Sequence, residues 1–480
     1  MKDNFISTIP KEFIPYQLPE NWKWFLWSDL ITNYQQGMIR SNSQLGEGNA
    51  EYLKMGDLDS SGRANFSNLA RTEASQKEIE EFLLKEGDFL INVRNSKELV
   101  GKTCLIQNIN NRTVLFNHML VRMDHGSIEL NYYINAFLNI PSSKKMLDRI
   151  KQGTTTVIAL YQRDLNKIPI PLPDNKTFNN IVELYKSINQ KIELNNKINA
   201  ELEAMAKALY DYWFVQFDFP VQSKKNPELV EGYKSSGGKM VWNEELKREI
   251  PEGWEIGTIS DISELIRGVS YDKKSIKTSN DSNVIPILRA TNITGNQIDL
   301  NDMVYVPSEL VNEKQILNKF DILITMSSGS IDHIGKNGFY YFDEIVSFGA
   351  FCAKFVPKQH YHFYLFNYTQ SDFMSNTIKN ECLGTNINNL NSGMVNGFKL
   401  VIPDEDVLKL FNNKVESIYQ KISINYKENQ ELATLRDWLL PMLMNGQVTV
   451  ASTSSATENG YEVEDSELGM VAEDKVEYKN

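Results

Sequence analysis

The sequence predicts an α+β fold made of two similar strand-rich domains, each followed by a long helix, with the two helices paired as a coiled coil. Two observations carry this: an internal repeat at a near-constant offset, and two heptad runs that occupy the same place in each repeat. Self-similarity at a fixed offset decides the architecture, since each copy then forms one structural unit. LPENWKWFLWSDL at 18–30 returns as IPEGWEIGTISDI at 250–262, which pairs Trp22 with Trp254 and Asp29 with Asp261. KEGDFLINV at 85–93 returns as NKFDILITM at 318–326, matching Asp88 to Asp321. Gly101-Lys102 then answers Gly335-Lys336, QGTT at 152–155 answers LGTN at 383–386, and IPLP at 170–173 answers LVIP at 400–403. So many matches in one order indicate a duplication.

The globular parts contain short β-branched and aromatic runs, such as DFLINV, TVLF, VIPILRA, DILITM and AFCAKFV, bounded by Gly, Asn and Asp. One helix is predicted in each half, near 130–149 and 362–379. After Pro173 the apolar period becomes 3.5. Ile181, Ile188, Asn195, Leu202 and Leu209 form one series and Leu184, Lys191, Ile198, Met205 and Tyr212 a second. In the later copy Ile418, Asn425, Leu432 and Leu439 keep the first series, and Lys421, Glu428, Leu435 and Met442 the second. The predicted seam is therefore Ile181, Leu184, Ile188, Asn195, Ile198, Leu202, Met205, Leu209, Ile418, Asn425, Leu432, Leu435 and Leu439, with a polar layer at the matched asparagines. Each run spans roughly 50 Å as a helix. An antiparallel pairing brings Asn195 to Asn425 only if the helices cross at their centre. At the end of the first run, the aromatics of WFVQFDFP fit two roles, core packing or a docking surface for another protein.

Length and composition bound the remaining possibilities. A chain of 480 residues, 41% hydrophobic, is too long for one core. No apolar run is long enough to span a membrane, and the first residues lack a signal-peptide pattern, so a cytoplasmic location is expected. Cys104, Cys352 and Cys382 are scattered, without metal-ligand spacing, which fits reduced thiols. The net charge is −12, but the tail from Gln447 to Asn480 holds eight acids against two lysines and reads as disordered. Residues 1–173 carry 20 basic and 19 acidic side chains, residues 240–403 carry 14 and 19. A nucleic-acid face must therefore be a local patch. VGKT at 100–103 lacks the first glycine of a phosphate loop, since position 96 is Ser96; DLDSSG at 57–62 lacks the closing Glu of a calcium loop, since position 68 is Asn68. No catalytic motif is present, and no enzyme activity, metal or cofactor is expected in this chain.

Four stretches bring a family into view: LNNKINAELEAMAKALYDYWFVQFDFP at 194–220, GYKSSGGKMVWNEELKREIPEGW at 232–254, QGTTTVIALYQRDLNKIPIPLP at 152–173 and ENQELATLRDWLLPMLMNGQV at 428–448. With them the chain resembles, over nearly its whole length, the specificity subunit of Type I restriction-modification systems. The resemblance implies target recognition domains at 1–173 and 250–403, conserved helices at 174–220 and 404–446 forming an antiparallel coiled coil, a linker at 221–249 and a tail at 447–480. It also implies that each domain reads one half of a bipartite DNA target, that the helices set the spacer, and that two modification subunits and the restriction subunits assemble on the chain. S-adenosylmethionine, ATP and Mg are then expected on those partners. A coiled-coil scaffold that binds protein and no DNA is the rival reading.

Base edges carry sequence information while phosphate contacts position the protein. Candidate DNA contacts in the first half are Lys54, Arg94, Asn95, Lys102 and the loop Gln152, Gly153, Thr154, Thr155. In the second half they are Arg289, Thr291, Asn292, Ser327, Ser328, Lys336 and Gly384, Thr385, Asn386. The Gly-Thr loops stand out because small and hydroxyl residues let backbone N–H groups approach a phosphate.

Overall fold

The computed structural model describes residues 16–59, 62–153, 157–223, 226, 228–329, 333–383 and 389–450. Thr154, Thr155, Gly384, Thr385, Asn386 and the tail from 451 onward lie outside them. Six helices matter below: α1 (Ile128–Asn139), α2 (Pro141–Ile150), α3 (Asn175–Tyr210), α4 (His362–Thr369), α5 (Asp372–Leu383) and α6 (Glu405–Met444). The chain forms two compact units. One holds the residues up to Gln190 together with those from Leu432 on; the other is Lys191–Glu431.

In the first unit a four-stranded antiparallel sheet runs in the order Asn33–Gln36, Leu120–Asp124, Phe89–Asn92, Thr103–Leu105. A second sheet sets Ala50–Leu53 antiparallel to Ala70–Thr72 and parallel to Val114–Phe116. The core lies between the first sheet and α1, where Trp27, Phe89, Tyr133 and Phe137 are almost wholly buried. The domain closes on itself, because its entry strand Lys23–Leu26 pairs antiparallel with its exit strand Pro169–Leu172.

The second unit repeats this plan. Its sheet order is Ser263–Arg267, Cys352–Pro357, Ile322–Thr325, Asn337–Phe339. Val284–Leu288 pairs antiparallel with Val304–Pro307 and parallel with Ser347–Phe348. Glu255–Thr258 pairs with Lys399–Ile402 at the ends of the domain. The matched residues of the repeat now have physical roles. Asp29 and Asp261 accept hydrogen bonds from the backbone N–H of Leu26 and Thr258 at 3.2 and 2.7 Å, fixing the turn after each entry strand. Asp88 and Asp321 accept from Lys85 N and Asn318 N and pair with Arg122 at 3.0 Å and Lys354 at 2.7 Å.

Where one helix was predicted in each half, two are found. In the first, Pro141 opens α2, and the residue before it, Ile140, is extended with φ −72° and ψ 151°. Proline fits the first turn of a helix but disfavours helical geometry in the residue preceding it, so one segment becomes two. In the second, Ser371 separates α4 from α5 and its Oγ accepts from Met374 N. The span 221–249, expected as a linker, carries strand Pro220–Gln222 paired with Val230–Gly232, and Met240–Asn243 paired with Arg248–Pro251.

The long helices α3 and α6 pack together and run antiparallel. In the second unit Asn195 Nδ2 donates to Asn429 Oδ1 at 2.9 Å, and Asn425 Nδ2 donates to Asn199 Oδ1 at 2.8 Å. Asn195 therefore does not meet Asn425. At the repeat offset of these helices Asn195 corresponds to Asn425 and Asn199 to Asn429, so the two amide pairs are each other's copies about the crossing point. Lys191 and Glu428 flank this layer at 3.2 Å. In the first unit Arg436 Nη1 donates to Asn189 Oδ1 at 3.1 Å.

The seam differs from the expected one in its second series. Ile181, Ile188, Asn195 and Asn425 are buried, and Leu202, Leu209, Ile418, Leu432 and Leu439 partly so. Of the second series Leu184 and Ile198 are half-buried, whereas Met205 is 59% exposed and Leu435 44% exposed. The positions one residue later, Tyr185, Ile192, Asn199, Ala206 and, in α6, Ile422 and Arg436, are the buried ones. The reason is that within each unit the helix segments also pack on that unit's globular domain, Tyr185 on the first and Ala206 on the second, which turns the buried stripe away from a strict two-helix seam. Pro441 lies inside α6 near its end.

Candidate nucleic-acid interface

Backbone pairing gathers four loops in each unit, and two of them carry sequence-predicted contacts: Lys54 and Arg94 with Asn95 in the first unit, Arg289 with Thr291 and Ser327 with Ser328 in the second. In the first unit Met38 N donates to Phe116 O at 2.8 Å and His118 N to Met38 O at 3.0 Å. Asn117 N donates to Leu53 O at 3.0 Å, and Val93 N to Met119 O at 2.9 Å. Residues 38–40, 54–56, 93–95 and 117–119 are thereby gathered. Gly37 makes the approach possible: a Cβ there would sit 2.4 Å from Asn117 O. In the second unit Val269 N donates to Phe348 O, Gly349 N to Leu288 O and Met326 N to Phe351 O, all within 2.7–2.8 Å. Gly268 has the same constraint, its Cβ position lying 2.2 Å from Gly349 O.

Lys54 and Arg289 occupy equivalent places, one residue past their strands. Each backbone N–H is held three residues on, Lys54 N by Asp57 Oδ2 at 2.6 Å and Arg289 N by Asn292 Oδ1 at 2.9 Å. Burial pushes the Asp57 carboxyl above its ordinary range, against the backbone hydrogen bond from Lys54. Arg94 is exposed, and with Asn95 it pairs antiparallel with Ile158–Ala159, whose other edge carries Gln152 and Gly153. The described part of the predicted Gly-Thr loop therefore adjoins Arg94 and Asn95. Gln152 spends its amide on Asp164 at 2.9 Å and on Arg163 at 3.3 Å. Ser327, equivalent to Arg94, bridges to Asn389 in the matching position.

Arg289, Thr291, Ser327 and Ser328 line one pocket of about 560 Å³. Asn292 does not join them. It is buried, its Nδ2 donating to Asp299 O and Asn301 O at 2.9 and 2.6 Å, so its amide is spent on its own turn. Lys102 and Lys336 also lie elsewhere. Lys102 lines a groove of about 500 Å³ with Lys97, Lys144 and Lys151, and its Nζ donates to Leu58 O at 3.2 Å. Lys336 lines the equivalent groove beside α5 with Lys379.

Sequence reading missed Ile39, His118, Tyr271 and Phe351. Ile39 is 72% and Phe351 67% exposed, beside Arg40 and Ala350. The available signal was for Ile39 and Tyr271 alone, which follow Gly37 and Gly268, the glycines at which two strands pinch together. The aromatics of WFVQFDFP resolve as core: Trp213, Phe214, Phe217 and Phe219 are buried against Trp254, Tyr364 and Phe411. Cys104 and Cys352 are free and buried, and burial pushes both thiols up. Among the described residues no cluster of His, Cys, Asp or Glu fit to hold a metal ion occurs, and no helix is long and apolar enough to cross a membrane.

A twice-built fold with the same four-loop face in each copy is what defines the class. The family model of the Type I restriction modification DNA specificity domain matches residues 19–204 and again 251–434, and the chain belongs to this family. Among its relatives, the Type I restriction enzyme StySPI specificity subunit of Salmonella potsdam is 30% identical over 218 residues, 44% of this chain and 47% of that protein. The EcoKI specificity subunit of Escherichia coli (strain K12) is 31% identical over 206 residues, 42% of this chain and 44% of that one. The chain thus spans about half the length of these two relatives. The MjaIX specificity subunit of Methanocaldococcus jannaschii is 24% identical over 383 residues, covering 79% of this chain and 82% of that protein.

Proposed function

We propose that this chain is the DNA sequence-specificity subunit of a Type I restriction-modification complex. Each globular domain reads one half of a split target, α3 and α6 set the unread spacer, and the chain itself is not catalytic. The observation that carries this reading is the duplicated four-loop face, which places Lys54, Arg94 and Asn95 in one domain where Arg289, Ser327 and Ser328 stand in the other. Donors and hydroxyls beside small residues suit base edges in the major groove. Lys102 and Lys336, with their neighbouring lysines, suit the phosphate backbone. The Gly-Thr loops at 152–155 and 384–386 belong to the same proposed surface.

In this reading two modification subunits dock on the helices and carry S-adenosylmethionine, while restriction subunits bring ATP and Mg. Support comes from apolar residues left exposed at matched positions, Leu194 with Ile424 and Met205 with Leu435. Lys197 with Lys427 and Glu201 with Glu431 lie between them and are identical in both helices. A repeated surface suits two copies of one partner.

The test is to purify the chain with its modification subunit and map the methylated bases. Adenine methylation at a split motif with a fixed spacer is the expected result. Methylation that is unchanged without this chain, or that occurs at a continuous motif, overturns the proposal and favours a protein-binding scaffold.

A further inference from the structure

We infer that the pocket formed by Tyr271, Arg289, Ser327, Ser328, Ala350 and Phe351 reads the 5-methyl group of a thymine in the second half-site. The inference rests on the reading that both domains recognise DNA, and it adds the chemistry of one contact.

The two faces share a backbone but differ in what they present. Arg94, Asn95, His118 and Met119 in the first domain stand where Ser327, Ser328, Ala350 and Phe351 stand in the second. At these positions a cation and an amide give way to hydroxyls, and an imidazole and a thioether to a methyl and a phenyl ring. Among the described lining residues Arg289 is the only charged one. Its Nη2 donates to Asp302 O at 2.6 Å, which holds the guanidinium to its own domain. Phe351 lines this pocket and is 67% exposed, so its ring is free to meet a base edge. Gly329 leaves open space at the rim, with nothing within 4 Å of its Cβ position.

A phosphate would be better held by more cations than the single guanidinium, tied to Asp302 O, that the described lining offers. Among base edges, guanine is read by Arg or Lys and adenine by Asn or Gln, whereas the thymine methyl is read by apolar contact from residues such as Ala and Phe. Ser and Thr hydroxyls serve either base. The lining therefore matches thymine, and the small residues around Phe351 leave room for the methyl group. Burying one methyl against the ring is worth roughly fourfold in affinity.

The experiment uses the complete modification complex. Its methylation motif is mapped first, for the wild-type chain and for Phe351→Ala. The variant should relax the motif at one A·T pair of one half-site, other than the pair bearing the modified adenine. Duplexes are then made with deoxyuridine replacing thymine at that position. The wild-type complex should bind the uridine duplex about fourfold more weakly, Phe351→Ala should bind both equally, and Phe351→Leu should restore part of the difference. Thermal melting of both variants checks that the domain is intact. Equal wild-type affinity for the two duplexes overturns the inference, as does a second half-site with no additional fixed A·T pair. A continuous motif would instead overturn the functional reading beneath it.

Discussion

His125 shows how much one buried side chain can dictate. Its Nε2 accepts from Trp27 Nε1 at 2.8 Å, and its Nδ1 lies 2.6 Å from Asn131 Oδ1, whose own Nδ2 donates to Gly87 O. With Asn131 turned that way the ring is neutral and carries its proton on Nδ1. Protonating Nε2 would oppose the indole N–H. Burial accordingly pushes the imidazole down to about 4. Between about 4 and the ordinary value of 6.5 only the unfolded chain takes up the proton, so this contribution to stability is present above 6.5 and is lost as pH falls. The melting temperature of the wild-type chain should fall over that range more steeply than that of His125→Gln. Glu203 works in the other direction. Burial raises its carboxyl to about 7, while Asn296 Nδ2 donates to it at 2.5 Å. Its contribution is present below pH 4.5 and is lost as pH rises towards 7, a slope that Glu203→Gln should remove. Lys354 and Asp321 are 3% and 9% exposed; removing one charge strands the other. Lys354→Met should destabilise the second unit by about 3–5 kcal/mol in denaturant titrations.

At the scale of elements, the asparagine layer between α3 and α6 costs stability. Asn199 Nδ2 and Asn425 Oδ1 are buried without hydrogen-bond partners, although the two side chains bond each other. Replacing Asn199 alone by Leu should lower the melting temperature, because Asn425 then loses its partner at about 1–3 kcal/mol. Replacing Asn199 and Asn425 together should recover that loss or exceed it. If the double variant melts lower than the single one, the layer is a source of stability instead. The helices also mark where sequence reading succeeds. Heptads of Ile181, Ile188, Asn195 and Leu202 revealed the helix, its length and its polar layer. They misplaced Met205 and Leu435, because a seam drawn from two helices alone ignores the globular surface against which each helix also lies. The pinched loops were less legible still. Met38 and Asn117, or Val269 and Gly349, are some eighty residues apart in sequence and meet through parallel strand pairing that no local pattern announces.

For the whole molecule, the proposal makes the spacer a property of helix length. Adding one heptad at matched points of α3 and α6 adds about 10 Å to each, the rise of roughly three base pairs. The mapped motif should keep both half-sites and gain a longer gap. A changed half-site would show that the helices do more than separate the readers. Fold class and duplication were legible because repeats and periods survive in sequence; the proposed base contacts are less so, since the loops that carry them differ between the two copies.

The pairing of Lys23–Leu26 with Pro169–Leu172, and of Glu255–Thr258 with Lys399–Ile402, has one more consequence. Each domain starts and finishes on adjacent strands, so topologically it is a cassette plugged into the chain through a single two-pronged socket. The chain enters and leaves each plug at neighbouring backbone positions. On the proposed function, exchanging a whole cassette between two such chains, cut at those strands, should change the mapped motif while the modification subunits still co-purify with the chain.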